Sequence, residues 1–493
     1  MPFDALRVPA VENLAPDLSR PGIRAVTFSG LIILVFSVWL ALEIPKGTLT
    51  QTDELLTAER TREMLMTEPW VVHYNFNRSF EKPPLQYWLT CLTLPRFENR
   101  SVAVRIWPLF YGALTAIALA WLVFLMKPGE PWLIPLIVAI LVSCPLFSTE
   151  ASHAMLDTGL TFFTTLTIVF AELARKRPTW WFAVAATCWL GSLQKVPVPF
   201  LVWLLILLVR LTDRDERANL RKGISWLISS MLLAVVLMSI WPLLQLIKYQ
   251  MHPGILFHEE IIVWLGPEGL GKRPYLEIVL ELIRDGGLVG FFLLLSPFVT
   301  LFSTKDKPAP AVREIAIVSL AVIALAIVSN FRGVRYILPI LPCLCFLLAL
   351  LLQRFLCRES RVRVAVMVGL VVLLLAGFIQ AELKMIFRQK DAADEKVIAE
   401  KLGTLQQSGA GTVLIKAIHT GKDLMWDSFY LFHGNFRFPV ASYTVEEIRR
   451  RTPKPPLVGA CVVRDFPVVR EVYPNVQVEL ARAQFICWRV PAE

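Results

Sequence analysis

The sequence predicts a mainly α-helical, polytopic membrane bundle of about eleven spans. Interface helices lie in its first exterior loop, and a small α/β exterior domain closes the chain. Three observations carry this. Of the 493 residues 55% are hydrophobic and only 18% charged, with a mean hydropathy of +0.57, whereas soluble domains lie nearer one quarter charged. The apolar residues form long runs rather than an alternating pattern. From about Arg388 the composition turns to that of a soluble domain. The same figures exclude disordered, collagen-like and disulfide-scaffold classes.

A bilayer core needs roughly 20 apolar helical residues. Spans are expected near 24–44, 102–126, 131–148, 155–174, 179–194, 196–211, 224–247, 287–303, 314–330, 335–353 and 363–381. The fifth and sixth are the shortest, divided only by Leu193-Gln194-Lys195. The first lacks a cleavage site and reads as a retained signal anchor. The net charge of +10 is spread over short blocks, which speaks against a nucleic-acid partner. Lys127–Glu130, Arg175–Arg177, the 210–223 loop, the Lys305–Arg313 loop and Arg354–Arg363 are short and basic, so they and the N-terminus belong in the cytoplasm. The long loops 45–101 and 249–286, the turns near 150, 195 and 332, and the C-terminal tail then fall outside. Trp132, Trp180 and Trp181 stand where interface anchors are expected.

The chain therefore divides into residues 1–387, the membrane part, and 388–493, an exported α/β domain of ordinary size. Thr412–Ala417, Leu457–Val463 and Gln484–Val490 read as strands and Glu446–Arg451 as a helix. Cys461 and Cys487 fall in predicted strands. They could pair in an oxidising compartment, although two buried thiols are the plainer reading. The eight cysteines show no metal-ligand spacing.

Few charges fall near the middle of a span, which counts against an ion-coupled transporter. The ionisable residues without a topological task lie mostly on the exterior side. Asp53 and Glu54 open a helix whose Leu55, Leu56, Met64 and Leu65 suit an interface-lying segment. Pro83-Pro84 opens a second short helix after Glu81 and Lys82. Asp157 starts the fourth span, Lys195 occupies an exterior turn, and Arg332 and Arg335 precede the tenth span. Singly, an acid in a first turn complements the helix dipole and a cation at a span end snorkels. Together they place two carboxylates and several cations at one membrane-level face. That set suits a lipid phosphate held by cations and a hydroxyl activated by a carboxylate.

The run Asp53-Glu54, Arg62-Glu63-Met64-Leu65, Trp70 and Phe80-Glu81-Lys82-Pro83-Pro84-Leu85-Gln86-Tyr87-Trp88 resembles the first exterior loop of the glycosyltransferase-C superfamily. Its nearest branches are the bacterial aminoarabinose transferases of lipid A and the protein O-mannosyltransferases. The likeness continues through Arg105, Asp157, Lys195-Val-Pro-Val, Glu259 and Arg335-Tyr-Ile-Leu-Pro-Ile-Leu-Pro342.

The resemblance implies an enzyme of the bacterial inner membrane that moves a sugar from a polyprenyl-phosphate donor, with inversion. The acceptor is an exterior hydroxyl or phosphate on lipid A, another envelope glycan or an exported protein. Asp53 would be the leading base, with Asp157 and Glu54 the other acids of the site. Lys82, Lys195, Arg332 and Arg335 would neutralise the departing phosphate. Arg62, Glu81, Tyr87 and Glu259 would bind substrate or support the loop. The Leu55-Leu56-Thr57 run lacks the aromatic that relatives carry after the acid pair, and Glu260 and Val263 replace the usual residues after Glu259. These departures point to a different sugar. No cofactor is required, but some relatives hold a divalent metal, which Glu81 with His258 or Glu260 could imitate. The alternative from another class is a flippase or exporter of lipid-linked sugar. It would need deep polar groups or an inverted repeat, and the sequence displays neither.

Overall fold

The computed structural model describes residues 20–250, 252, 254, 277–302, 308–328, 333–356, 360–388, 392–406, 410–419, 422–424 and 427–492. Eleven helices lead from the start of the bundle to its middle. They are α1 (Arg20–Glu43), α2 (Thr52–Met66), α3 (Leu85–Thr93), α4 (Arg100–Met126), α5 (Leu133–Ser143), α6 (Pro145–Ala151), α7 (Asp157–Lys176), α8 (Trp181–Gln194), α9 (Val198–Thr212), α10 (Arg214–Lys222) and α11 (Ile224–Lys248). Then follow α12 (Glu277–Phe302), α13 (Pro310–Val328), a 3-10 turn over Val334–Ile340, α14 (Leu341–Leu356) and α15 (Ser360–Arg388).

All eleven segments expected to be spans are helical, but the count of eleven does not follow from length and apolarity alone. Seven of the described helices are long and apolar enough to cross a membrane, and eight if α5 and α6, bent by 71° at Cys144, form one broken span. α8 and α9 have only 14 and 15 residues. α7 is long enough but is polar, with Asp157, five threonines, Glu172 and two terminal cations.

That polarity is tolerable because α7 is the innermost helix. Thr161, Thr164, Thr165 and Thr167 return their hydroxyl hydrogens to the carbonyls four residues earlier, at 2.8–3.0 Å, so none of these four hydroxyls is stranded. The outer helices show the reverse pattern. Leu34 and Val35 of α1, Leu232 and Val236 of α11, and Val368 and Val372 of α15 are all about half exposed or more. A continuous apolar exterior of this kind marks hydrocarbon as the solvent.

The end of α7 remote from Asp157 is tied by a buried ion network. Arg210 of α9 donates to both oxygens of Glu314 in α13 at 2.9 and 3.0 Å and to Glu172 at 3.1 Å. Arg175 joins the same two carboxylates at 3.0 and 2.8 Å and also binds Glu216 of α10. Four helices meet at these charges.

Beyond α15 the chain forms α16 (Ala393–Gln406), β3 (Gly411–Ile415), α17 (Asp427–His433), β6 (Val440–Tyr443), α18 (Val445–Arg451), β7 (Leu457–Val462), α19 (Phe466–Val472), β8 (Gln477–Arg482) and β9 (Phe485–Val490). Two short hairpins, β1 (His73–Tyr74) with β2 (Asn77–Arg78) and β4 (Ala417–His419) with β5 (Lys422–Leu424), complete the strand numbering. The main sheet has the order β6-β3-β7-β9-β8, with β3 parallel to β6 and β7 and the other pairs antiparallel.

The three strands read from the sequence are present, as is the helix, whose capping box joins Thr444 and Glu447. β6 and β8 carry no strong alternation and emerge only through their neighbours. Cys461 and Cys487 are both free and buried. The register pairs Ala460 with Cys487 and Cys461 with Ile486, so the two thiols stand on opposite faces and cannot bond.

One face of this sheet is covered by α18 and α19, with Ile448, Val469 and Trp488 in its core. The other is covered by α16 and α17, and its core runs on without a break into Leu49, Leu55, Ala58 and Val104 of the bundle. α2 is therefore buried along most of its length between the helical bundle and the sheet unit. Its Leu55 and Met64 are fully buried, while Leu65 is 46% exposed.

Replacing Arg210 by Met leaves Glu172 and Glu314 buried beside a single remaining cation. The expected cost is about 3–5 kcal/mol, read as a lower melting temperature of the detergent-solubilised protein. Unchanged melting would show that the network is dispensable.

Candidate functional site

The site forms where the starts of α2 and α7, the end of α8 and the 3-10 turn at Val334 converge. Asp53, in the first turn of α2, stands at the positive end of that helix. Its Oδ2 accepts a hydrogen bond from Arg335, and the two side chains keep 43% and 39% of their surface exposed. Asp157, in the first turn of α7, is only 2% exposed. Lys195 donates to both its oxygens at 2.7 and 2.8 Å. The Lys195 ammonium also lies 5.5 Å from the ring centre of Tyr336, and Arg335 stacks near the same ring at 5.7 Å. Two ion pairs thus share Tyr336 as a wall, and Arg335 feels the charges of both Asp157 and Asp53. One acid is half open; the other is buried and committed.

Glu54 is placed differently from its neighbour. It is fully buried, and Arg105 of α4 grips it through a bidentate fork at 2.8 and 3.0 Å. The amide of Ala154 donates to it at 2.9 Å. Burial pushes its pKa up, but His153 and Arg105 outweigh that and hold it below the usual carboxylate range. Its oxygens are fully occupied, so the expectation that it joins the catalytic acids gives way to a structural anchor.

Arg62 is also turned away from the ion pairs. It forks onto Glu59 at 2.8 and 2.6 Å and donates to the Phe436 carbonyl of the sheet unit at 2.6 Å. Arg60 binds Glu81 and the hydroxyl of Tyr87, the latter at 3.2 Å. These contacts lock the Phe80–Trp88 motif onto α2. Lys82 is half-buried on the turn into α3, and the following Pro84 precedes the first helical residue.

Arg332, His258, Glu259 and Glu260 lie outside the described residues. Glu81 is already engaged by Arg60, and no group of three or more metal-ligating side chains occurs among the described residues. We assign no metal.

Sequence reasoning missed Tyr336, Gln86 and Gln194. The first adjoins Arg335 and the last adjoins Lys195, so adjacency to a flagged charge was the available signal. A cavity of about 790 Å³ lies elsewhere, between the α1–α2 connection, the start of α4 and the α16–α17 corner, lined by Leu49, Arg100, Lys396 and His433 among others. None of the four paired charges lines it.

Residues 48–254 match the family model described as dolichyl-phosphate-mannose-protein mannosyltransferase. An undecaprenyl phosphate-alpha-4-amino-4-deoxy-L-arabinose arabinosyl transferase 2 of Sodalis glossinidius is 30% identical over 183 residues, 36% of this chain and 32% of that protein. The corresponding transferase of Yersinia pestis is 32% identical over 164 residues, 33% of this chain and 29% of its own length. The chain thus spans about a third of the length of these curated relatives. The crystal structure of ArnT from Cupriavidus metallidurans bound to undecaprenyl phosphate superposes with a TM-score of 0.70 at 17% identity, covering 94% of this chain and 97% of that one. The Archaeoglobus fulgidus oligosaccharyltransferase superposes at 0.57 with 11% identity, over 83% and 61%. At such identities the structural likeness is one of fold. The resemblance read from the first exterior loop holds in both sequence and fold.

One titration is open to test here. Glu63, fully buried on α2, has its pKa pushed up to about 8 by burial and by Glu59 beside it. Its Oε2 accepts from the Phe76 amide at 2.7 Å, and its other oxygen, held as O–H, can donate to Glu59. Below about pH 4.5 the group is protonated whether folded or unfolded. Between there and pH 8 only the folded chain keeps the proton, so this group's contribution to stability declines as pH rises. Glu63→Gln imitates the neutral acid. Relative to wild type it gains on the order of 3–4 kcal/mol between pH 5 and pH 8, measured by melting at each pH. A constant difference would mean that Glu63 ionises normally.

Proposed function

We propose that this chain, a member of the glycosyltransferase-C superfamily, transfers a sugar from a polyprenyl-phosphate donor to a hydroxyl of an envelope acceptor, lipid A or a related glycolipid. Residues 1–387 form the catalytic membrane part and 388–493 an exported α/β domain. The N-terminus faces the cytoplasm of a bacterial inner membrane, and the site and sheet unit face the periplasm. The observation that carries this reading is the asymmetry of the two ion pairs around Tyr336. A base must reach its substrate, and Asp53 is the half-open acid. A phosphate site needs cations held in place, and Arg335 and Lys195 are held.

In this mechanism the acceptor O–H gives its proton to Asp53 as its oxygen attacks the anomeric carbon. The bond from that carbon to the donor phosphate oxygen breaks on the opposite face, with inversion. The electron pair leaves with the polyprenyl phosphate, whose charge rises as the bond opens. Arg335 can meet it through two parallel N–H groups; Lys195 and Lys82 act as point charges. Asp157 keeps the Lys195 ammonium aimed without reaching the acceptor itself. Stabilising the charge that develops on the departing phosphate lowers the barrier more than binding the ground state does.

Asp53→Asn keeps the shape and a hydrogen-bond acceptor for Arg335 but loses the base. Transfer should fall by about 10²–10⁴-fold while binding of undecaprenyl phosphate persists. Mass spectrometry of envelope lipids from cells with and without the protein reads the sugar and the acceptor together. Undiminished transfer by Asp53→Asn would remove the assignment.

A further inference from the structure

Behind the Lys195–Asp157 pair lies a set of buried polar side chains that the transfer chemistry does not use. Gln194 and Gln86 are both fully buried. The Gln194 amide nitrogen donates to the Leu156 carbonyl and to Gln86 Oε1, each at 3.1 Å. The Tyr111 hydroxyl lies 3.5 Å from Gln194 Oε1. Gln86 in turn is within 3.5 Å of the Thr90 hydroxyl.

Each tethered segment carries a charge of the site. Leu156 immediately precedes Asp157, and Gln194 immediately precedes Lys195. Gln86 follows Lys82 by four residues, across Pro83-Pro84, whose rings restrict the intervening backbone. α8 cannot hold Lys195 itself, because the chain leaves helical geometry there (φ −155°, ψ −67°).

The bundle also keeps room for this carboxamide. A Cβ at Gly159 would stand 2.5 Å from Gln194 Nε2 and 2.8 Å from the Tyr111 ring. A side chain at 159 would therefore displace Gln194. Both hydrogens of the amide are used, so an apolar replacement strands the Gln86 oxygen in a dry interior.

We propose that Gln194 is a positioning residue, tying the segments that bear Lys82, Asp157 and Lys195 into one arrangement so that the cations meet the donor phosphate together. This rests on the functional reading above for its consequence, but not for its geometry.

The test uses the full chain in detergent with two readouts. One is acetylation of Lys195 by an amine-acylating reagent, followed by mass spectrometry. The other is the Kd for undecaprenyl phosphate. Gln194→Leu should raise Lys195 labelling about threefold and weaken undecaprenyl phosphate binding about tenfold. Gln86→Met and Gly159→Ala should shift both in the same direction by less. Mere destabilisation would lower the fraction of protein that binds and leave the Kd where it was. If Gln194→Leu does not fold, Gln86→Met and Gly159→Ala decide. Unchanged labelling and Kd in the variants that fold would overturn the proposal. A rise in labelling in a chain whose wild type binds no undecaprenyl phosphate would uphold the positioning role and sink the donor assignment instead.

Discussion

The fork between Arg105 and Glu54 is the contact on which the arrangement of the other site elements depends. Two opposite charges at a few per cent exposure cost much in lost hydration, and the structure offsets this by satisfying nearly everything around them. Arg105 reaches the carbonyls of Ile44 and Lys46 at 3.1 and 2.9 Å, which pins the connection from α1 to α2. Glu54 takes the amide of Ala154, which pins the corner between α6 and α7. One ion pair thus joins three segments, and the acids that matter lie beside it in sequence: Asp53 one residue before Glu54, Asp157 three after Ala154. A first-turn acid that seemed interchangeable with its neighbour is the fixed point from which the neighbour is aimed.

The same division runs through the rest of the molecule. Apolar runs, basic blocks and the late change of composition are local properties of the chain, so the spans, their ends and the C-terminal strands could be read directly. Charges with no topological task could be read as well: Asp53, Asp157, Lys195 and Arg335 all converge. Which of them pair could not. Asp53 and Arg335 are separated by 282 residues, and nothing in either segment's periodicity refers to the other. Glu54 and Arg62 have the local look of site residues because burial is invisible in a short polar helix. The pairing of Arg62 with Glu59 is a local i,i+3 contact, but the Phe436 carbonyl that also holds Arg62 comes from the distant sheet unit. The eleven-span expectation has a similar origin. It treats every apolar helical stretch as equivalent, whereas α7 is polar and central, and α5 and α6 break at Cys144.

Polar groups in this bundle follow two strategies. Four of the five threonines on α7 donate within their own helix and make few demands on their neighbours. Arg210, Arg105, Lys195 and Gln194 are instead satisfied across helices, and so they specify which helices meet. At one end of α7 this second strategy builds the Arg210 network. At the other it builds the Asp157, Lys195 and Gln194 cluster. About 30 Å of helix separates the two ends, and what lies between them is mainly apolar packing and self-bonded hydroxyls.

The docking of the sheet unit on the first long loop also orders events during synthesis. Asn75 exchanges hydrogen bonds with the backbone of Val440 at 2.9 and 2.8 Å, and Tyr74 donates to Asp427 at 2.7 Å. These partners leave the ribosome more than 350 residues after the loop that needs them. Until then the outer side of α2, with Leu55 and Ala58, lacks its covering core and Arg62 its carbonyl. A nascent chain can therefore complete its membrane helices while α2, the helix that carries Asp53, still lacks its full packing. The setting of α2 is thus completed only once the sheet unit, far later in the chain, has been made and has docked on it.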